Sequence, residues 1–298
     1  MTTVRSAVAP PGVVNVSSVR QRSPLRYPGG KTWLVPYVLS LLRSDTYESD
    51  VMYEPFAGGG IISLSAVAEG LVDRAVMVEK DDGVAAMWSV ILGDHRWLVG
   101  RILSFEPTRP NVEDVLASGG SGARALAFRT IIRNRFSYGG IMARGASLIK
   151  GGESGRGITS RWYPETIAAR ITEIARMSGR LRVVHGDGLD VMARCRSRRA
   201  IFFMDPPYTA AGKRAGRRLY DHSSVDHARL FRLASRTLNP VVMTYDRSDE
   251  VAGMARSHGL YVRRVPMVSG HHAAMDELVI TNRAAAPRLR SRPRSRRR

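Results

Sequence analysis

The sequence predicts a doubly wound α/β fold, a Rossmann-like sheet interrupted by a mostly helical insert. Three observations predict it. Strand and helix signals alternate from Ser23 onward, and a glycine trio, Gly58 to Gly60, follows a short strand after three intervening residues. The run Ala200-Ile-Phe-Phe-Met204 is unbroken apolar sequence, as expected of a strand buried on both faces of a parallel sheet.

Val51–Glu54 reads as the first strand, Gly58–Gly60 as a turn, and Ile61–Glu69 as a helix stopped by Gly70. Ala75–Val78 is the next strand and Asp82–Ile91 an amphipathic helix. Leu181–Val184 and Ala200–Met204 continue the sheet. Asp226–Leu238 reads as a helix with Leu230, Leu233, Ala234 and Leu238 at core-facing spacing. Strand Val241–Thr244, helix Asp249–His258 and strands Leu260–Val265 and Glu277–Thr281 complete the pattern, the last two as an antiparallel hairpin at the sheet edge. The expected organisation is a core of residues 23–100 and 181–283 split by a helical, basic module at 101–180. Residues 1–22 and 284–298 are expected to lack fixed structure.

The chain has 298 residues, 46 Lys plus Arg against 26 Asp plus Glu, and a formal charge of +20. Seven arginines and no acid lie in 284–298, so +13 remains on the body. Only four of the basic residues are lysines, namely Lys31, Lys80, Lys150 and Lys213. An excess of this size favours a polyanion, nucleic acid first. A single cysteine, Cys195, excludes an intrachain disulfide framework and a cysteine-rich zinc site, and reads as a structural thiol. The seven histidines form no metal-binding pattern, and His271-His272 reads as a surface pair. No apolar run reaches membrane-spanning length, and the start lacks the apolar core of a secretory signal. A monomer in the cytoplasm of a bacterial cell or a phage-infected bacterium, associated with the nucleoid, is the expectation.

Basic residues concentrate in Arg129–Arg161, beside glycines and the aromatics Phe136, Tyr138, Trp162 and Tyr163. Basic side chains contact phosphates, and aromatics stack on bases or wedge between them. The candidate nucleic-acid contacts are Arg133, Asn134, Arg135, Tyr138, Arg144 and Lys150. The alternative is a solvated loop whose arginines carry no function. A second basic cluster is Lys213, Arg214, Arg217 and Arg218.

Three motifs carry chemistry. In Tyr53-Glu-Pro-Phe-Ala-Gly-Gly-Gly60, a strand runs into a glycine turn and a helix, which lets a ligand approach the backbone. Glu79, ending the following strand, is placed to accept hydrogen bonds from the hydroxyls of an adenosyl ribose. In Met204-Asp-Pro-Pro-Tyr208, Asp205 leaves a buried strand at the carboxyl edge of the sheet. An exocyclic amine on a base is a poor nucleophile because its lone pair is delocalised. Two acceptors, the Asp205 carboxylate and the Pro206 carbonyl, can hold its hydrogens and favour a pyramidal nitrogen. Pro206 and Pro207 stiffen the turn, and Tyr208 offers a face for a base rotated out of the helix. In Arg26-Tyr-Pro-Gly-Gly-Lys31, Lys31 can pair with a cofactor carboxylate or an acidic side chain.

Taken in this order the motifs resemble the Dam-type DNA adenine-N6 methyltransferases, whose recognition domain lies between cofactor and catalytic motifs. The resemblance runs from about Ser23 to Asn282. It includes Arg133-Asn-Arg-Phe-Ser-Tyr-Gly-Gly140, His185-Gly-Asp187, Thr244-Tyr-Asp246 and Glu277-Leu-Val-Ile-Thr-Asn282. It implies S-adenosylmethionine as cofactor, held by Tyr27, Lys31, Phe56, Gly58, Glu79 and Asp187 with Asp205 near the methionine part, and double-stranded DNA as partner. Catalysis would rest on Asp205, Pro206, Pro207 and Tyr208. Asp187 would contact the cofactor adenine, or else serve only as a helix cap. Other acceptors compatible with the motif are cytosine N4, RNA and a protein amide. A non-catalytic nucleic-acid-binding protein on the same fold is the remaining alternative.

Overall fold

A computed structural model describes residues 14, 16–26, 30–143, 146–152, 155–207, 225–268 and 274–284. Seven strands form one sheet: β1 (Val51–Glu54), β2 (Arg74–Glu79), β3 (Leu181–His185), β4 (Ala200–Met204), β5 (Val241–Asp246), β6 (Tyr261–Val268) and β7 (Ala274–Thr281). Their order is β3-β2-β1-β4-β5-β7-β6. Strands β1 to β5 pair in parallel, whereas β7 runs antiparallel between β5 and β6. The expected β6–β7 hairpin is present, with β7 as its inner strand. The strand order reverses at β1 and β4, so a ligand crevice is expected where their carboxyl ends diverge.

Both faces of the sheet are covered, which is why β4 is apolar throughout. Ile201 and Phe203 point into one core, Phe202 and Met204 into the other. On the first face lie α1 (Val35–Leu42), α2 (Ile61–Ala68), α3 (Asp82–Gly93), α4 (His95–Leu103), α5 (Arg109–Ala117), α6 (Ala123–Phe136) and α7 (Pro164–Ala175). On the second lie α8 (Gly188–Ala193), α9 (His227–Arg236) and α10 (Asp249–Ser257).

Local chemistry fixes the helix starts. Asp81, Asp187, Asp226 and Ser248 cap α3, α8, α9 and α10, each accepting a first-turn N–H. Pro36 and Pro164 occupy the first turns of α1 and α7, where the missing N–H costs nothing. Leu230, Phe231 and Ala234 bury the inner face of α9. Leu238, expected on that face, is 79% exposed because the helix stops at Arg236 and Thr237 turns extended.

The 101–180 region shares its core with the sheet layer. The expected boundary at 101 falls inside α4. Trp88 of α3 and Leu98 and Ile102 of α4 lie in one apolar cluster with Phe128, Ile131 and Phe136 of α6 and Ile167 and Ile171 of α7. Phe105, Phe136 and Trp162 meet within it, ring centroids 5.2–6.3 Å apart. The described part of the N-terminal segment is likewise seated. Val16–Ser18 form a 3-10 turn, and Arg20 and Arg22 pair with Glu173 of α7 at 2.9 and 2.7 Å.

Candidate cofactor and amine site

The parallel strands deliver Glu54, Glu79, Asp187, Asp205 and Asp246 to the same carboxyl edge. The antiparallel run of β7 adds Glu277, whose register partner on β5 is Asp246. Five of these acids come from strand ends or the residues after them, and only the sixth required the strand direction to be known.

The glycine turn after β1 is held from three sides. Gly58 and Gly60 adopt φ of 45° and 60°, left-handed values that favour glycine. A β-carbon on Gly60 would stand 2.7 Å from Met77 Cε. Trp88 Nε1 donates to the Gly58 carbonyl at 2.9 Å, and Glu79 Oε2 accepts the Gly58 N–H at 2.9 Å. Glu79 Oε1 also accepts the N–H groups of Lys80 (2.8 Å) and Asp81 (3.0 Å). Burial pushes the Glu79 carboxyl above its ordinary pKa, opposed by these N–H donors. Oε1 therefore has both lone pairs committed to the backbone, whereas the Gly58 N–H uses one on Oε2.

Asp187 is the N-cap of α8, as its alternative reading required. Oδ1 accepts the Leu189 N–H at 2.9 Å, and Oδ2 faces Lys80 Nζ at 3.4 Å. The loop carrying it presses on the β1 loop so closely that a β-carbon on Gly188 would fall 2.0 Å from the Pro55 carbonyl oxygen. Phe56 is half-buried against the second core.

Around Asp205 the chain assembles a charged cluster. Lys31, only 3% exposed, places Nζ 3.0 Å from Asp205 Oδ1 and 3.7 Å from Glu277 Oε1. Thr244 Oγ1 donates to Asp205 Oδ1 at 2.7 Å. Burial alone would lower the Lys31 pKa, but Asp205, Glu277 and Asp246 raise it above the ordinary value. Lys31 thus takes the acidic-side-chain alternative. Pro206 is buried and Pro207 half-buried. On the opposite side of β5, the Tyr245 hydroxyl meets His227 Nδ1 at 2.9 Å.

Glu54, at the end of β1, is buried and accepts the N–H of Ser63 in the first turn of α2 at 3.1 Å. Burial pushes its pKa up to about 8. The native state then holds a proton that the unfolded chain releases near pH 4.5, so stability falls as pH rises between these values. The slope is about 1.4 kcal/mol per pH unit for one group. Glu54→Gln keeps an acceptor for Ser63 and is expected to flatten this decline. Thermal melts from pH 5 to 8 check it; parallel curves for the two proteins would refute the assignment.

The nucleic-acid candidates separate. Tyr138 is 70% exposed, Lys150 is exposed and Arg133 is half-buried. Asn134 and Arg135 require correction: they lie inside the protein, at 0% and 3% exposure. The Asn134 amide grips Arg26, accepting its N–H at 2.8 Å and donating to its carbonyl at 3.0 Å. Arg135 donates to the Pro24 carbonyl, and its pKa is pushed down to about 9 by burial and by Arg170, Arg26 and Arg161. Both residues anchor the segment leading to Lys31 and have no surface to offer DNA. Tyr27, Tyr208, Arg144, His271, His272, the cluster Lys213 to Arg218 and residues 285–298 lie outside the described residues.

No family model matches the chain, and no curated protein matches it. Among solved structures the chain is similar to a candidate RNA methyltransferase from Pyrococcus horikoshii, at 13% identity and TM-score 0.42, over 89% of this chain and 92% of that one. It is also similar to the rRNA methyltransferase aviRa from Streptomyces viridochromogenes, at 14% identity and TM-score 0.36, over 84% and 82%. A precorrin-6Y C5,15-methyltransferase from Geobacter metallireducens matches at 9% identity and TM-score 0.36, over 82% and 84%. Likenesses this distant say nothing about the acceptor. Among the described residues, no group of three or more His, Cys, Asp or Glu could hold a metal ion, and no helix is long and apolar enough to cross a membrane. Cys195 is half-buried against the second core.

Sequence reasoning did not assign roles to Glu277, Thr244 or Glu54. All three lie in stretches quoted for the family resemblance, and Glu54 also ends the first predicted strand. That placement was the available signal.

Proposed function

We propose that the protein is an S-adenosylmethionine-dependent DNA methyltransferase acting on the N6 amine of an adenine rotated out of the double helix. The observation that carries this reading is Asp205, at the carboxyl edge beside the topological switch, with Oδ1 held by Lys31 and Thr244. We assign the Asp205 carboxylate to one amine hydrogen and the Pro206 carbonyl to the other. Fixing the carboxylate beforehand removes the cost of ordering it during reaction. Buried Pro206 and the adjoining Pro207 supply the same rigidity to the carbonyl.

The residues present fit the cofactor. Glu79 Oε2 retains a lone pair for a ribose hydroxyl, the Gly58–Gly60 turn leaves only the half-buried Gly59 open towards a ligand, and Asp187 and Phe56 flank the same loop. S-adenosylmethionine would supply a methyl group made electrophilic by its sulfonium. Tyr27 and Tyr208 are assigned to the cofactor and to base stacking by the family resemblance. Arg133, Tyr138, Arg144 and Lys150 remain the proposed DNA contacts; the exposure of Tyr138 suits a stacking or wedging role. The monomeric state and the cytoplasmic, nucleoid-associated location belong to the same proposal.

Nucleoside mass spectrometry of DNA and RNA from expressing cells tests the reading. N6-methyladenine confined to DNA is expected. Methylation appearing only in RNA, or as N4-methylcytosine, would replace the acceptor, and no new methylated nucleoside would overturn the reading. Removing residues 284–298 deletes seven arginines and is expected to weaken DNA binding while leaving methyl transfer measurable at low salt. The slope of log affinity against log salt should shrink by ~0.9 for each phosphate that the tail no longer neutralises. An unchanged slope would deny the tail any part in binding.

A further inference from the structure

We propose that Glu277 is a positioning residue for the transfer step, controlling through Lys31 how far the charge of Asp205 is neutralised. This rests on the methyltransferase reading above and assigns a residue to it that the motifs did not.

Lys31 stands between two carboxylates, 3.0 Å from Asp205 and 3.7 Å from Glu277. Its position is therefore a compromise, and the charge on Glu277 sets it. A strong acceptor for the amine requires that the ammonium not belong wholly to Asp205. If Glu277 is ionised, the ammonium is shared. When it is neutral, the ammonium shifts towards Asp205 and weakens the carboxylate as an acceptor.

Two further observations mark Glu277. It is 6% exposed, and its second oxygen, Oε2, has no hydrogen-bond partner among the described residues. Leaving a buried oxygen unpaired lowers stability, so packing alone does not account for a glutamate here. The groups facing it come from three places: Lys31 ahead of α1, Asp205 beyond β4 and Asp246 on β5. Burial pushes its pKa up to about 7, with Lys31 opposing and Asp205 and Asp246 adding to the rise. Its ionisation thus falls in the working pH range, and the transfer rate should climb as pH rises through about 7.

The test uses the full-length protein with S-adenosylmethionine and duplex DNA. Glu277→Gln is expected to lower kcat about tenfold, leave KM for both substrates within about twofold, and remove the inflection near pH 7 from the kcat profile. Glu277→Asp keeps the charge and is expected to restore the inflection. A purely structural role would lower Tm without moving that inflection, and an inflection retained in the Gln variant overturns the proposal.

An activity-independent readout is available because the chain has only four lysines. With isotope-labelled lysine, the side-chain NMR signal of Lys31, assigned by Lys31→Arg, should shift with an inflection near pH 7 in the wild type and not in Glu277→Gln. A flat wild-type titration, or identical curves, also overturns the proposal. If the wild type fails to bind S-adenosylmethionine by calorimetry, the methyltransferase reading falls. The Lys31 titration then still decides whether Glu277 controls that charge.

Discussion

Asp205→Ala is expected to lose methyl transfer by roughly a thousandfold or more while binding DNA nearly as well as the wild type. The loss has two sources. The amine loses its anionic acceptor, and Lys31 loses the nearer of its two carboxylate partners. Glu277 remains to compensate the buried ammonium, so folding should survive at reduced stability. Asp205→Asn separates the two sources. It preserves shape and can still accept from Thr244, but it carries no charge for Lys31 or for the amine. Transfer should therefore stay low with a smaller fall in Tm. Rates by labelled-methyl incorporation and DNA affinity by fluorescence anisotropy check both variants. Methylation retained in either would sink the assignment of Asp205.

Gly188→Ala should produce a large loss of stability from a single added methyl group. The new β-carbon would sit 2.0 Å from the Pro55 carbonyl oxygen and 2.6 Å from its β-carbon. Neither neighbour is the end of a flexible side chain, so the two loops must part. The expected cost is about 2–3 kcal/mol, or roughly 3–5 °C in Tm. Cofactor affinity should fall with it, because Pro55 leads into Phe56 and the glycine turn. Gly253→Ala is the matched control. That glycine lies in α10 with nothing within 4 Å of its added carbon, so alanine there should stabilise by about 0.5–1 kcal/mol. Thermal melts and calorimetric binding of S-adenosylmethionine measure both. Equal behaviour of the two variants would refute the close approach of the loops.

Strand ends were legible in the sequence wherever periodicity and punctuation agree. Asp205 follows an unbroken apolar strand and Glu79 ends one, so both could be placed at the ligand edge without coordinates. Side-chain direction was less accessible. Asn134 and Arg135 belong to a basic stretch, yet α6 packs on the core and turns those two residues inward. Composition reports charge over a window, whereas burial alternates residue by residue around a helix. Arg133 and Tyr138, from the same stretch, face differently. Asp187 satisfied its local reading as a helix cap, which leaves Oδ2 as the oxygen bearing on any further role. Glu277 was hidden for a topological reason. Its strand reads the same in either direction, and only pairing against β5 brings its first half to the ligand edge.

The antiparallel last strand has a consequence for biosynthesis. Lys31 lies near one end of the described chain and Glu277 near the other, and they meet only after β7 inserts between β5 and β6. A nascent chain that has emerged through β5 already presents Asp205, the glycine turn and Glu79, but lacks the counterweight to its buried ammonium. Ribosome-bound or truncated products should therefore hold an incomplete centre. On the proposed reading, the Asp205 centre gains its second carboxylate only once β7 has been made and has paired with β5.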